Sequence, residues 1–299
     1  MRWNRRAALA VAGAGALWLA GIGAVSAQIP FGPIGTSDGA YREQSWHIPL
    51  PHDSSRAMIA SVSRPPGEDK HPLVVINHGS PADPRERASV RPGFRTATEW
   101  FVKRGYVVVR PIRRGYGATG GNWSETYGSC ARPNFRDAGL ETAKDIAASV
   151  AYMKTQPFVR PVGVIVVGQS AGGWGSLALA GMNPPDVTAI VNFAGGRGGY
   201  ARKQPNSNCA PDRLVSAAGD YGRTARVPTL WIYTQNDLFF APSISRGMYD
   251  AFTGNGGKGE YVLLTPFGKD GHGLFGSSDG VKHWEKQVER FLAANAAAN

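Results

Sequence analysis

Cysteine is nearly absent: the 299-residue chain holds two, Cys130 and Cys209. Neither sits in a cluster of His, Cys and carboxylates at ligand spacing, which leaves no sequence-defined metal site. Runs of five or more Lys or Arg are also missing, as is any nucleic-acid module pattern. The basic balance, 33 Lys and Arg against 22 Asp and Glu, therefore reads as a scattered soluble surface with no nucleic-acid partner. No internal repeat or low-complexity linker divides the chain, so nothing points to a solenoid or a string of modules.

What is present is ample material for a core, with 42% hydrophobic and 10% aromatic residues. The first residues combine a basic start (Arg2, Arg5, Arg6), an apolar run rich in Ala, Gly and Leu, and the small-residue ending Val25-Ser26-Ala27. That is the form of a secretory signal, residues 1–27, cleaved after Ala27; a retained anchor is the alternative, disfavoured by the weakly hydrophobic, Gly-rich run. Removing the signal takes three arginines from the formal charge of +11 and leaves +8. A secreted or periplasmic chain with no stable membrane insertion is expected. In an oxidising compartment the two cysteines are expected to pair, two separate buried thiols being the alternative.

Residues 28–299 are read as one domain. Strands are expected at 45–50, 57–63, 73–77, 106–111, 162–167, 187–193, 229–234 and 261–265. Several, such as LVVIN, YVVVR and GVIVV, are almost continuously apolar, as parallel strands covered on both faces must be. Helical periodicity marks 96–104, 135–155, 172–181, 242–252 and 279–294. In 135–155, Ala143, Ile146, Ala147, Val150 and Met153 form an apolar stripe beside Glu141, Lys144, Asp145 and Lys154. Strands alternating with helices imply crossovers and a mostly parallel central sheet of about eight strands, with helices on both faces. The stretch 195–227 is long for a simple connection and is expected to form a lid-like insertion. A Cys130–Cys209 bridge would tie two loops at the strand ends where ligands bind in such sheets.

The sequence GVIVVGQSAGGWG raises the chemical question. With 39 glycines in the chain, Gly168-x-Ser170-x-Gly172 alone proves little, but it follows an apolar strand and opens a helix. That is the arrangement in which glycines allow a strained turn to lift a serine hydroxyl above the sheet. A serine needs a base to take its proton, and the base needs an orienting acid. His272, in the loop after the last strand and before the last helix, is the candidate base. Asp237, directly after a buried strand, is the candidate acid, with Asp270 as alternative. For a developing oxyanion the backbone N–H groups of Ala171 and Ser80 are the candidate donors, Gly79 being the fallback because Pro81 has no N–H. Arg114 either braces its loop or binds a substrate carboxylate, with bracing favoured; Trp174 is read as packing. Phe239 and Phe240 line an acyl pocket or anchor their loop.

In the order Ser, Asp, His, and through NHGS, RRGYGATGG, GQSAGG, QNDLFFAP and GHGLF, residues 57–292 resemble the α/β-hydrolase superfamily. The resemblance is to its dienelactone-hydrolase and prolyl-oligopeptidase-like branch. It implies the α/β-hydrolase fold and hydrolysis of an ester, lactone or amide through Ser170, with no metal or organic cofactor. Serine replaces the cysteine usual in dienelactone hydrolases proper, which weakens transfer of their lactone substrate. The expected protein is an exported serine esterase acting on a small-molecule ester. A peptidase or amidase with the same triad is the first alternative, and a non-catalytic hydrolase-fold binding protein the second. Oligomeric state is not legible.

Overall fold

The computed structural model of the protein describes residues 30–51 and 53–295. The expected signal, 1–27, lies outside them. In chain order the first elements are β1 (Gly32–Asp38), β2 (Glu43–Leu50), β3 (Asp53–Ser63), β4 (Leu73–Asn77), α1 (Arg95–Lys103) and β5 (Val107–Pro111). A two-residue hairpin, β6 (Gly128–Ser129) and β7 (Arg132–Pro133), precedes α2 (Phe135–Met153), β8 (Val164–Gln169), α3 (Ala171–Met182) and β9 (Val187–Phe193). Last come α4 (Pro211–Gly222), β10 (Thr229–Thr234), α5 (Pro242–Gly254), β11 (Gly259–Leu264) and α6 (Val281–Asn295).

Nine strands form one sheet in the order β1-β2-β3-β5-β4-β8-β9-β10-β11. From β5 to β11 neighbours run parallel, and β1, β2 and β3 extend the sheet by antiparallel pairing. The apolar runs have the expected cause. Successive side chains of β4 alternate faces, Leu73 and Val75 into one cluster and Val74 and Ile76 into the other. The first face is covered by α2, α3 and α4, through residues such as Ile146, Leu177 and Leu214. The second is covered by α1 and α6, through Trp100, Phe101, Trp284 and Phe291.

The sequence reading missed β1, a solvent-exposed edge strand in the Gly/Pro-rich lead-in, and this is the ninth strand. It also missed α4. Of the stretch 195–227, the portion Pro211–Gly222 is a crossover helix whose Leu214, Ala217, Ala218 and Tyr221 are buried; only the part before it borders the strand ends. Cys130 and Cys209 form a disulfide with a Cα separation of 5.0 Å, fastening the β6–β7 hairpin to that loop.

Candidate active site

β8 runs into Ser170, whose backbone is forced to φ 53° and ψ −120°, and α3 begins at the next residue. The turn is closed by contacts that leave no room for a side chain. A Cβ on Gly168 would lie 2.3 Å from the Gly172 carbonyl oxygen, and one on Gly172 2.3 Å from that of Asn77. Ser170 N–H donates to Phe193 O at 3.0 Å, and Ser170 O accepts from Trp174 N at 2.9 Å and Gly196 N at 3.2 Å. The strained serine is thus pinned on both sides by its neighbours.

The loop after β10 supplies Asp237, 1% exposed. Its Oδ1 accepts the N–H groups of Phe239 (2.8 Å) and Phe240 (2.9 Å). Both carboxylate oxygens lie 3.1 Å from His272 Nδ1. A carboxylate facing Nδ1 requires a proton there, which leaves Nε2 free as the basic nitrogen. Asp270, the alternative acid, instead accepts the backbone N–H groups of Leu238 (3.0 Å) and His272 (2.9 Å) and holds the two loops together.

His272 stacks on Phe239 with ring centroids 4.1 Å apart and packs against Phe240, and both phenylalanines line a cleft with Ser170. Gln169 Nε2 donates to His272 O at 3.1 Å, tying the histidine loop to the residue before the serine. Ser170 and His272 are not hydrogen bonded to each other among the described residues, a looseness common in unliganded sites.

The cleft beside Ser170 encloses about 140 Å³ and is lined by Ser80, Ala171, Arg87, Trp123, Arg197 and Phe240, among others. The N–H groups of Ser80 and Ala171 donate to no protein group among the described residues. Ser80 is aimed by its own peptide plane. The Gly79 carbonyl accepts from His78 Nδ1 at 2.7 Å, and in a trans peptide the N–H of Ser80 points the opposite way, away from His78.

Arg113 N–H donates to His78 Nε2 at 3.2 Å, so Nδ1 is the protonated nitrogen. Burial, aided by the Arg113 charge, pushes the His78 imidazole down to about 3. It is neutral at physiological pH.

Behind His78 lies a buried network that the sequence did not announce. Arg113 donates from Nη1 to His78 O at 2.6 Å and pairs with Glu125, which Arg197 also contacts. Tyr116 OH donates to the same carboxylate at 3.0 Å. Burial works to raise the Glu125 carboxyl, but the two guanidiniums override it and hold it well below the usual carboxylate range.

Arg114 faces away. Its Nε pairs with Asp145 at 2.5 Å and its Nη2 with Glu141 at 3.1 Å, both on α2, and it is Arg113 that braces the loop after β4, through the His78 carbonyl. Trp174 is fully buried and donates to Phe135 O at 2.9 Å. Glu125 and Arg197 stand in no recognisable motif; the one signal was an isolated arginine in GGRGG. Among the described residues no cluster of three His, Cys, Asp or Glu could hold a metal ion.

The same architecture occurs in known hydrolases. The structure superposes on an acetyl xylan esterase from Paenibacillus sp. R4 with a TM-score of 0.61 at 16% identity, covering 91% of each chain. An acylaminoacyl peptidase from Pyrococcus horikoshii gives 0.61 at 14% identity, covering 86% of this chain and 42% of the peptidase. The chain has the α/β-hydrolase fold. Residues 92–195, which include Ser170, match the model of the prolyl oligopeptidase family. A dipeptidyl-peptidase 5 from Porphyromonas gingivalis is 28% identical over 141 residues, 46% of this chain and 19% of that protein. The chain spans between a fifth and about half the length of the curated relatives it matches. No described helix is long and apolar enough to cross a membrane.

Proposed function

We propose that the protein is a serine hydrolase that cleaves carboxylic esters, with Ser170 as nucleophile, His272 as base and Asp237 as orienting acid. The observation that carries the reading is the Asp237 carboxylate on His272 Nδ1, on the loops beside a serine held in an elbow turn. In the first step Ser170 Oγ attacks the ester carbonyl while His272 Nε2 takes its proton. The N–H groups of Ser80 and Ala171 receive the oxyanion. His272 then protonates the departing alkoxide, leaving an acyl-Ser170. Water, deprotonated by the same nitrogen, releases the acid and restores the serine.

Export follows from the signal-like residues 1–27 and fits the Cys130–Cys209 disulfide, which belongs in an oxidising compartment. The loop from 195 to 210, clamped by that disulfide, shapes access to the cleft.

A peptidase reading with the same triad is favoured by one observation, the match of residues 92–195 to the prolyl oligopeptidase family. A panel of p-nitrophenyl esters and peptide anilides separates the two. Ester turnover lost in Ser170→Ala supports the esterase, whereas anilide turnover at a comparable kcat/KM moves the assignment to a peptidase.

A further inference from the structure

The cleft at Ser170 has a charge pattern that ester hydrolysis alone does not require. Two arginines, Arg87 and Arg197, line it, and no acidic side chain does. The Arg87 guanidinium carbon sits over the Trp123 ring, 3.4 Å from its centroid, and among the described residues no carboxylate reaches it. Arg197 is 4% exposed. Its Nη2 contacts Glu125 and Thr142, but Glu125 is shared with Arg113, and the nearby Asp145 and Glu141 are taken by Arg114. The Nε atoms of both Arg87 and Arg197 are buried without a partner. A buried guanidinium with a half-share of one carboxylate is held at a cost that an anionic ligand would offset.

The backbone presents Arg197 rigidly. Gly196 donates to Ser170 O at 3.2 Å and Gly198 accepts from Cys209 N at 2.8 Å. A Cβ on Gly196 would strike the Phe240 ring at 2.5 Å, and one on Gly198, at φ +70°, the Cys209 Cβ at 2.8 Å. Glycines on both sides let the loop pass between the elbow and the disulfide while it carries one long cationic side chain.

We propose that Arg197, with Arg87, is an anion-binding subsite, so that the preferred substrates are esters whose acyl part carries a free carboxylate. This rests on Ser170 being the nucleophile. The acyl side is assigned because the cleft touches Ser170, Ser80 and Ala171 but not His272, and the leaving group departs on the side of the base that protonates it. At about 140 Å³, roughly the liquid volume of five waters, the cleft takes a short acyl chain.

The test compares monomethyl succinate with its neutral shape-mimic, methyl 4-methylpentanoate, by pH-stat on the whole mature protein and on Arg197→Met and Arg87→Met. The wild type should favour the anionic ester in kcat/KM by tenfold or more. Arg197→Met should lose about 10- to 100-fold on the anionic ester, at least tenfold more than on the neutral one. Arg87→Met, a partly exposed position that does not endanger folding, should shift the ratio in the same direction by a smaller factor. A wild type that prefers the neutral ester or turns over neither, or variants that slow both esters equally, would overturn the subsite. Fluorophosphonate labelling of the same samples separates the two levels. A subsite failure with Ser170 still labelled leaves the nucleophile standing, whereas absence of labelling at Ser170 removes the reading on which the subsite rests.

Discussion

Arg113 holds His78 from two directions: its main-chain N–H donates to the imidazole Nε2 at 3.2 Å, and its guanidinium donates to the His78 carbonyl at 2.6 Å. The other ring nitrogen is thereby committed to the Gly79 carbonyl, and through the peptide plane it sets the direction of the Ser80 N–H. In the proposed mechanism His78 is therefore a positioning residue for the Ser80 N–H, acting at one remove from the chemistry.

Loss of that pin should appear in kcat. His78→Leu is expected to lower kcat on a p-nitrophenyl ester by about 100-fold, comparable to removing one oxyanion donor, with KM changed less than threefold. His78→Asn, whose side-chain amide nitrogen overlays Nδ1, should recover at least tenfold of the loss. Equal losses in both variants would assign His78 a packing role only.

The same histidine makes stability depend on pH in a definite direction. Its folded value of about 3 lies below the ordinary 6.5, so between those values the unfolded chain binds the extra proton. The stability it confers is complete above pH 6.5 and is lost as pH falls toward 3, at about 1.4 kcal/mol per pH unit. Asp145, raised by burial to about 6, works in the opposite sense between pH 6 and 3.8 but is common to wild type and variant. The difference in urea-unfolding free energy between wild type and His78→Asn should therefore shrink as pH is lowered from 6.5 to 4. A constant difference would show that His78 titrates normally.

Asp237 and Asp270 are separated by their contacts. Asp237→Asn removes the carboxylate from His272 Nδ1 and should cut kcat by about 10³- to 10⁴-fold. Asp270→Asn weakens two backbone hydrogen bonds and should cost about tenfold or less. Steady-state kinetics on one ester decides, and the reverse order would move the acid to Asp270.

The Cys130–Cys209 bridge closes a separation of 79 residues, which in the chain-entropy picture is worth on the order of 4 kcal/mol. The double variant Cys130→Ser/Cys209→Ser should unfold at lower urea by a corresponding amount. A midpoint equal to that of the oxidised wild type would show that the bridge does not stabilise the fold.

The sheet interior was legible because burial on both faces writes an uninterrupted apolar run, and LVVIN, the 187–193 segment and TLWIYT appear with their expected bounds. The edge was not, since β1 buries only its first residue and carries no hydrophobic pattern. Helix α4 was hidden by its composition. Its sequence, PDRLVSAAGDYG, packs through Ala and Gly as well as Leu214 and Tyr221, and small residues give a faint stripe. Ser170, Asp237 and His272 stood out as candidates because each follows a strand in a recognisable turn, and the fold brings Asp237 onto His272. The Arg113–Glu125–Arg197 network could not, because its members stand 12 and 72 residues apart and only the fold brings them together.

The most direct test of the central claim is fluorophosphonate labelling of the purified protein, with the modified peptide located by mass spectrometry. Labelling confined to Ser170, abolished in Ser170→Ala and slowed by orders of magnitude in Asp237→Asn, is the predicted result. A label on another residue, or none on a folded protein, would contradict it.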